Sequence, residues 1–466
     1  MKAATKKCIM ALVGIFVLSC IALFFTRISW AENPIVQTKY AADPAPMVYN
    51  DTVYLYTSHD EDITVNNFFT MNDWLCYSSK DMVNWTDHGV ILSLDDFDWA
   101  VGRAWAPQCI ERNGKFYLYV PVQGRINNRE YMCIGVGISD SPTGPFKDAL
   151  GKPLIDIPGS WNEIDPSVMI DDDGQAYLYF GNPNLKYVKL NEDMISYDKS
   201  YGVKNIPMTV ESFGQRNPVT QERATTYEEG PWIHKYGDLY YLVYAGGPIS
   251  EHLAYSTAVS PEGPWVYGGR IMESGTGSFT NHPAVIAFRG HNYLFYHTGW
   301  LTAGGGYKRA ASIEEFEYNE DGSIPPIPFK RQGVSSIAVL DPFVRNEAET
   351  INWTAHLTNT TNTSSVYDSY IKTERNENGI NIRNVRNQNY IKLSSVDFGS
   401  EGVGSFTASV SCDSAYSQGG NIEIRLDSMN GSTVGIMNVQ GTGGWDVWKE
   451  ETIPITETIE GVHDLF

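Results

Sequence analysis

The sequence predicts an all-β protein, a five-bladed β-propeller followed by a jelly-roll-like β-sandwich, and three observations lead to this prediction. One unit recurs five times with a period of about sixty residues, and such a period is typical of solenoids, propellers and arrays. After Pro342 the repeat gives way to clean two-residue alternation, which indicates a half-buried antiparallel sheet. No long stretch shows the 3.6-residue periodicity of a helix.

Each unit reads as a strand, a two-residue turn and a second strand, so each predicts a hairpin. In the first unit the turn Asn50-Asp51 separates Met47-Val48-Tyr49 from the strand-like residues 53–57. The repeated inner position varies in chemistry, whereas a solenoid stacks similar side chains along one face, so a closed ring is favoured. The equivalent turns of the other units are Asn113-Gly114, Asp173-Gly174, Tyr236-Gly237 and Arg289-Gly290.

One position of the unit carries side chains suited to chemistry. The first strand of each propeller blade lines the central channel, so the occupants of this position should meet at one mouth. A turn role explains any single Asp-Pro, but it does not explain three carboxylates in one repeat phase. Carboxyls gathered away from water repel, so at least one should titrate high, and an acid beside a carboxylate is what glycoside hydrolysis needs. The five occupants are Asp43, Ala106, Asp165, Glu229 and His282.

Composition narrows the partners. Asp and Glu number 55 against 34 Lys and Arg, and a net charge of −21 repels a phosphate backbone, so no nucleic-acid partner is expected. An aromatic content of 13% with few cations suits neutral sugars, although most of these rings should fill β cores. No Cys-x-x-Cys spacing suggests zinc. Four cysteines outside the N-terminal segment are expected to be buried thiols: Cys76, Cys109, Cys133 and Cys412.

The N-terminal residues predict a signal peptide over 1–31. Lys2, Lys6 and Lys7 precede an apolar run at residues 9–25, and Ser29-Trp30-Ala31 is a small-x-small cleavage site. Because the apolar run is long, an uncleaved anchor is the alternative. With the segment removed, the protein is expected to be secreted, periplasmic or cell-surface, without a membrane partner.

Three segments resemble the signatures of family 43 glycoside hydrolases: Ala42-Asp43-Pro44, Ile164-Asp165-Pro166-Ser167 and Glu229-Gly230-Pro231-Trp232. The stretches 54–60 and 71–85 resemble the arabinofuranosidase and xylosidase branch, and the resemblance spans roughly residues 35 to 335. It implies an inverting mechanism that needs no cofactor. Asp43 would be the general base on water and Glu229 the general acid, while Asp165 would orient Glu229 and raise its pKa.

The same resemblance implies further site residues. His282 would lie near an ion or water cluster on the channel axis, which makes it a candidate for a water-mediated metal contact. Arg309 would reach the substrate and the carboxylates. Trp105 and Trp161 are placed to form walls of the sugar pocket. The alternatives are a structural histidine, a solvated strand charge and core tryptophans.

The C-terminal segment resembles family 6 carbohydrate-binding modules. The implied role is docking on xylan, with Trp445 or Trp448 stacking on a sugar and Glu347 and Glu349 near a structural calcium. The final strand of that family is missing, so the module is expected to be incomplete at its C-terminus. The residues that carry the resemblance are Asn346-Glu347-Ala348-Glu349, Tyr390-Ile391-Lys392-Leu393, 420–428 and 442–448.

These observations predict a signal peptide at 1–31, a propeller at 32–340 and a sandwich at 344–466. The predicted protein is a secreted inverting hydrolase that releases α-L-arabinofuranosyl residues from arabinoxylan or related hemicellulose of the plant cell wall. A β-1,4-xylosidase acting on xylo-oligosaccharides is the alternative, because both sugars present similar hydroxyls. A non-catalytic sugar-binding propeller is the rival class, but a lectin needs aromatic rings and no matched acid and base.

Overall fold

The computed structural model describes residues 29–220, 223–356, 370–376 and 379–466. Strands dominate these residues, and the helical segments among them are the 3-10 turn Leu94–Asp96 and the one-turn helix α1 (Val210–Phe213). None of the helices within the described ranges is long and apolar enough to cross a membrane. The basic and apolar parts of the predicted signal peptide lie outside the described residues. The all-β fold class is confirmed.

Five sheets form the blades of a propeller. The strands up to the end of blade one are β1 (Trp30–Glu32), β2 (Tyr40–Tyr49), β3 (Thr52–Asp60), β4 (Asp73–Ser79) and β5 (Trp85–Ser93). Blade two contains β6 (Ala100–Gly102), β7 (Gln108–Arg112), β8 (Lys115–Ile126), β9 (Arg129–Ser139) and β10 (Lys147–Asp148). Blade three contains β11 (Ser167–Ile170), β12 (Ala176–Phe180), β13 (Lys186–Leu190) and β14 (Lys204–Asn205). Blade four contains β15 (Tyr227–Tyr236), β16 (Leu239–Gly246), β17 (His252–Ala258) and β18 (Val266–Met272). Blade five contains β19 (Ala284–Phe288), β20 (His291–Thr298) and β21 (Ala310–Phe316).

The ring is closed. The inner strands β2, β7, β11, β15 and β19 contact one another in that order, and β19 also contacts β2. Residues before blade one complete the closure, because β1 pairs with β22 (Gln332–Ser335), which follows blade five. The buried Asn33 amide accepts from Ile313 N–H and donates to Ile313 C=O, both at 2.9 Å, so it satisfies the free edge of β21.

Three of the predicted two-residue turns, Asn50-Asp51, Asn113-Gly114 and Arg289-Gly290, are present with left-handed backbone at both central residues. In blade three Asp173-Gly174 lies within the longer connection 171–175. In blade four Tyr236 pairs with Leu239, so the turn is Gly237-Asp238, one residue later than predicted. Asn50 and Asp51 have φ of 45° and 57°, and Asn113 and Gly114 have 55° and 76°. Positive φ at both central residues gives the turn a twist that matches the flanking strands. The pair Tyr49 and Thr52 closes the first of these turns. The repeat found in the sequence therefore corresponds to one hairpin per blade.

Side chains at the outer strands fill the space between blades. An aromatic residue follows the third strand-like segment in three of the units. Each of these residues is at most 3% exposed: Trp85, Phe146 and Trp265. Aromatic rings of this size contribute much of the apolar area that a β core buries. The expectation that the four cysteines are buried thiols is confirmed for Cys76, Cys109, Cys133 and Cys412.

Two compact units emerge from the contacts of the chain. The propeller unit comprises residues 30–338 together with 345–393, and the sandwich unit comprises Ser29, 339–344 and 394–466. Within the propeller unit, the side chain of Lys39 binds both Asp87 and Thr373, at 2.9 and 2.8 Å. The boundary predicted at residue 344 stays a prediction. The segment 345–393 adds β23 (Thr350–Ile351), β24 (Trp353–His356), β25 (Lys372–Asn376) and β26 (Gly379–Arg383), and β23 pairs with β5. The next strand, β27 (Asn389–Asp397), crosses the boundary between the two units at residue 394.

The sandwich unit consists of antiparallel strand pairs around apolar side chains, as predicted. On β28 (Ser405–Cys412) the half-buried Phe406, Ala408 and Val410 alternate with exposed residues. Gly435 faces inward, because a Cβ there would meet the side chains of Ile424, Ile453 and Ile455. The remaining strands are β29 (Gly420–Arg425), β30 (Thr433–Val439), β31 (Gly444–Pro454) and β32 (Val462–Leu465), with β28 paired to β31 and β29 to β30.

Candidate active site

The backbone is irregular at the predicted carboxylates, which lie within β2 and β15 for Asp43 and Glu229 and just before β11 for Asp165. Asp43 and Asp165 have φ of 51° and 55°, and Gly230, directly after Glu229, has φ of 61°. The register of β2 shifts between Ala42 and Ala45, and that of β15 shifts around Glu229. Bulges re-aim side chains, and left-handed backbone at a residue with a Cβ is costly and typical of functional sites. The repeated position therefore owes its orientation to local irregularity in otherwise regular strands.

Asp43 is a buried carboxylate with three polar partners. Ser58 Oγ donates to Oδ2 at 2.6 Å, and the Nη1 of Arg309 donates to Oδ1 at 2.8 Å. His297 Nδ1 lies 3.2 Å from the same Oδ1. Burial alone raises the pKa of Asp43, but Arg309 and His297 outweigh it and hold that pKa well below its usual range. Asp43 is therefore ionised and suited to accept a proton.

Arg309 lies inside the propeller and is not a solvated strand charge. Its guanidinium forms two hydrogen bonds of 2.9 Å with the fully buried Asp60, and its backbone N–H donates to Asp60 at 2.8 Å. Charge-assisted pairs of this bidentate kind fix geometry as well as charge. Asp60 thereby aims the guanidinium at Asp43, across the ends of blades five and one. Contact between Arg309 and a substrate stays a prediction.

Glu229 is placed in surroundings that favour its protonated form. Asn182 Nδ2 donates to Oε2 at 2.6 Å, and Asn182 Oδ1 accepts from Arg223 at 3.0 Å. Burial and then the charge of Asp43 raise the pKa of Glu229, against smaller opposing effects of Asn182 and of arginines. Glu229 therefore keeps its proton to a higher pH than an exposed glutamate.

Asp165 connects to the acid through the backbone. Its Oδ2 accepts the N–H of Gly230 at 3.0 Å, which fixes the peptide immediately after Glu229. Burial, then the charges of Glu229 and Asp43, raise the pKa of Asp165 well above its usual range. A negative charge on Glu229 or Asp43 therefore favours the proton on Asp165.

Glu228, the competitor of Glu229, points to the other face of the strand. Its carboxylate forms ion pairs with Arg216 and Arg223. Neighbours on a strand face opposite ways, so the repeat phase that selected Glu229 agrees with the structure. Arg223 is shared, because it also reaches Asn182 and through it Glu229.

Glu251 is a buried carboxyl of this site that the sequence analysis missed. Its Oε2 accepts the backbone N–H of Asn281 at 2.6 Å, and its Oε1 is buried without a hydrogen-bond partner among the described residues. Burial and then the charge of Glu229 raise its pKa well above the ordinary range. Asn281 Oδ1 accepts from the N–H groups of His282 and His297, at 3.0 and 3.3 Å. Glu251 sits outside the repeat phase, so no pattern selected it.

His282 packs behind the acid. A Cβ on Gly230 would lie 3.0 Å from its Nδ1, so the imidazole closes the space beside the residue after Glu229. Burial lowers the pKa of His282 to about 4, which keeps the ring neutral at ordinary pH. A neutral imidazole can accept from a water or bind a metal, and the water-mediated metal contact stays a prediction.

Metal-ligating side chains cluster elsewhere. Within the described ranges, one group has ligand atoms within 4.8 Å of one another: His59, Glu61 and Asp73. The predicted calcium residues Glu347 and Glu349 are not part of such a group within the described ranges. Glu347 forms an ion pair with Arg345, and Glu349 is buried. Burial raises the pKa of Glu349 to about 7. Calcium at Glu347 and Glu349 stays a prediction.

Aromatic rings cluster around Arg309, which binds Asp43. The ring of Phe69 lies 4.7 Å from the guanidinium of Arg309 and 4.8 Å from the ring of Tyr307. Trp105 belongs to the same cluster, with ring centroids 6.4 Å from Phe69. Trp161 is 46% exposed, so it is not a core residue. Phe69 and its neighbour Phe68 lie on the loop between β3 and β4, where neither the repeat nor a hydrophobic periodicity singled them out.

The sandwich unit presents an exposed aromatic pair. Trp445 is 53% exposed and stacks on Tyr416 with ring centroids 6.3 Å apart. Trp448 is half-buried, and its Nε1 has no partner among the described residues. Exposed stacked rings offer a face to the C–H side of a sugar, so Trp445 fits the predicted stacking role better than Trp448.

A carboxyl that favours its charged form and one that favours its protonated form, on inner strands of one closed β-propeller, fit the class of glycoside hydrolases. The sequence profile of glycosyl hydrolases family 43 matches residues 31–324, and the chain belongs to that family. The profile of carbohydrate binding module family 6 matches residues 348–466, so the family resemblances of both segments are confirmed.

Some similar proteins match nearly the whole chain, and others match less than two thirds of it. An arabinoxylan arabinofuranohydrolase of Bacillus subtilis is 32% identical over 93% of this chain and 88% of its own length. A xylosidase/arabinosidase 43A of Humicola insolens is 32% identical over 62% of this chain and 98% of its own. The crystal structure of a family 43 arabinoxylan arabinofuranohydrolase from Bacillus subtilis, in complex with cellotetraose, superposes with a TM-score of 0.73 at 30% identity, covering 93% of each chain.

Proposed function

We propose that this protein is a secreted, inverting glycoside hydrolase that releases α-L-arabinofuranosyl residues from arabinoxylan or a related hemicellulose. One observation carries the proposal. Arg309 lies 2.8 Å from Asp43 and lowers the pKa of that carboxyl, whereas burial and the negative charge of Asp43 raise the pKa of Glu229. The two carboxyls therefore differ in protonation as a general base and a general acid must. Export rests on the basic and apolar N-terminal segment of the sequence.

In the proposed reaction, Asp43 accepts a proton from a water whose oxygen forms the new bond to the anomeric carbon. Glu229 gives its proton to the glycosidic oxygen as the bond between that oxygen and the anomeric carbon breaks. The attack comes from the face opposite the leaving group, so the configuration inverts. Afterwards Asp43 loses its proton and Glu229 regains one, and the site returns to its starting state.

Asp165 is proposed to hold the acid in place. Its hydrogen bond to Gly230 N–H fixes the backbone next to Glu229. The predicted effect of Asp165 on the pKa of Glu229 stays a prediction. The exposed pair of Tyr416 and Trp445 is proposed to hold the polymer on the sandwich unit. Trp105 and Trp161 are proposed to line the sugar pocket.

A β-xylosidase activity is the second candidate. It is favoured by the similarity to a relative described as a xylosidase/arabinosidase, which covers 62% of the chain. Both activities use the same base and acid, so the carboxyl geometry is neutral between them. We rank arabinofuranosyl release first, because two relatives that match nearly the whole chain are described as arabinoxylan arabinofuranohydrolases.

The test is proton NMR of the first product released from wheat arabinoxylan and, in parallel, from xylotriose. The proposal expects arabinose, appearing first as the β-furanose anomer before mutarotation. Release of xylose from xylotriose without arabinose from the polymer would favour the second candidate. Arabinose appearing first as the α-anomer would contradict inversion.

A further inference from the structure

Arg103 occupies an unusual place in the aromatic cluster near the active site. Its guanidinium carbon lies 5.3, 5.0 and 5.1 Å from the ring centroids of Phe68, Trp105 and Trp161. Rings at this distance attract a cation through their π faces and hold it in one orientation. Phe68 and Trp161 are 40% and 46% exposed, so a ligand can reach this group from solvent. Three rings therefore present one fixed, accessible guanidinium.

The hydrogen bonds of Arg103 leave its outer edge open. Nε donates to Gln123 Oε1 at 3.0 Å, and Gln123 Nε2 donates in turn to Glu130 at 2.9 Å. Glu130 is already paired with Arg125, at 2.6 Å. Across the described ranges, no carboxylate forms an ion pair with Arg103, and its terminal nitrogens have no protein acceptor. The charge of Arg103 is thus positioned by neutral groups and not neutralised.

Aromatic contacts link Arg103 to the arginine that binds Asp43. The rings of Phe68 and Phe69 lie 5.3 Å apart, and Phe69 contacts the guanidinium of Arg309, which binds Asp43. Two rings, Phe68 and Phe69, therefore lie between Arg103 and Arg309, which holds the proposed base. A polymer bound with one sugar at Asp43 would place a neighbouring sugar or side group within reach of Arg103.

The negative net charge of the protein indicates which kind of ligand needs the positive charge of Arg103. A net charge of −21 repels anionic ligands, so an acidic sugar needs a local positive group to bind here. The planar fork of an arginine matches a carboxylate with two parallel hydrogen bonds, and the surrounding rings suit the C–H face of the same sugar. A neutral sugar would use the rings but would not require an unpaired guanidinium.

We propose that Arg103, with Phe68, Trp105 and Trp161, forms a subsite for a uronic acid carried by the polysaccharide substrate. The ring walls contact the sugar face, and the terminal N–H groups of Arg103 donate to the sugar carboxylate. The identity of the polysaccharide rests on the proposed function, whereas recognition of a sugar carboxylate does not depend on turnover.

The test is calorimetric binding by full-length Glu229→Gln protein, which blocks turnover. The ligands are an arabinoxylo-oligosaccharide bearing one glucuronic acid and the same compound with that carboxyl reduced to an alcohol. A charged hydrogen-bonded pair predicts that the acid binds about tenfold more tightly, and that the preference shrinks as salt rises. Adding Arg103→Gln should abolish the preference and leave binding of the reduced compound within about twofold.

Two further variants sharpen the result. Arg103→Lys keeps the charge without the fork and should retain only part of the preference. Arg129→Gln removes an exposed arginine of the same sheet that takes no part in the contacts of Arg103, and should leave the preference intact. Equal binding of both compounds by the parent would overturn the subsite. Equal weakening of both compounds by Arg103→Gln would also overturn it, because a purely structural stack predicts that outcome.

The experiments distinguish a failure of the proposed hydrolase function from a failure of the proposed subsite. Wild-type protein that releases no arabinose but prefers the acidic compound contradicts the hydrolase proposal and supports the subsite. Arabinose release without any preference contradicts the subsite and leaves the hydrolase proposal standing. The melting temperature of each variant shows whether a loss of binding reflects unfolding.

Discussion

Arg309 donates from Nη1 to Asp43 Oδ1 at 2.8 Å and, on its other edge, holds Asp60 by two bonds of 2.9 Å. One guanidinium thus ties the start of the first inner strand to the end of its neighbour. It also decides the protonation of Asp43, because burial without a counter-charge would raise the pKa of that carboxyl. The division of labour between base and acid depends on this contact.

Arg309→Gln should move the acid limb of the pH profile. Asp43 must be ionised to act, so activity falls as pH drops through its pKa, which Arg309 now holds low. Without the guanidinium that pKa rises, and the acid limb of kcat/KM shifts to higher pH. Arg309→Lys, which keeps a positive charge, should shift less.

Arg289→Gln is the matched control, since it removes a surface pair with Asp51 and should leave the profile unchanged. Losing a buried arginine costs about 3–5 kcal/mol, so the melting temperature of Arg309→Gln should fall as well. An unchanged acid limb in a folded Arg309→Gln protein would show that Asp43 is not the base.

Asn182→Ala should move the opposite limb. Asn182 donates to Glu229 Oε2 at 2.6 Å and so stabilises its charged form. Removing this bond raises the pKa of Glu229 further. Activity requires the protonated acid and falls as pH rises through that pKa, so the alkaline limb of kcat/KM should move to higher pH. A shift of that limb to lower pH would contradict the assigned contact.

Asn33→Ala should destabilise the propeller without touching the site. Its amide satisfies both backbone groups of Ile313, and leaving buried groups unpaired costs about 1–3 kcal/mol each. We expect a melting temperature several degrees lower and an unchanged KM. Glu273→Ala, which removes one exposed pair with Arg270, should cost less than about 1 kcal/mol. Equal losses in the two variants would refute the role of Asn33 in ring closure.

Trp445→Ala should separate polymer binding from turnover. Trp445 is exposed and stacked on Tyr416 in the sandwich unit. Its loss should weaken retention on insoluble arabinoxylan several-fold, because the stacking face is removed. Hydrolysis of a nitrophenyl arabinofuranoside should stay within twofold. Trp448→Phe, at a half-buried ring, serves as the comparison and should retain binding.

The sequence predicted the propeller and the carboxylates Asp43, Asp165 and Glu229 because all of these follow one repeat. Hydrophobic alternation and turn dipeptides are local signals, and they recur with each blade. Asn182 and Glu251 reach the site from outside the repeat phase. Their roles depend on which blades become neighbours after ring closure, and no local pattern encodes that.

The aromatic wall illustrates the same limit. Trp105 stands one residue before the repeated position, so it was found. Phe68 and Phe69 lie on a loop whose conformation is set by its packing against Tyr307 from the last blade. Loops carry much of the specificity of an enzyme and the least periodicity, so such residues emerge only in three dimensions.

The roles of Asp43 and Glu229 are tested most directly by leaving-group dependence. Glu229→Gln should lose about 10²–10⁴-fold in kcat/KM on arabinoxylan, and far less on an aryl arabinofuranoside whose leaving group needs no proton. Asp43→Asn should lose a similar factor on both substrates, because each needs an activated water. Equal losses of Glu229→Gln on the two substrates, or full activity in either variant, would contradict the assignment.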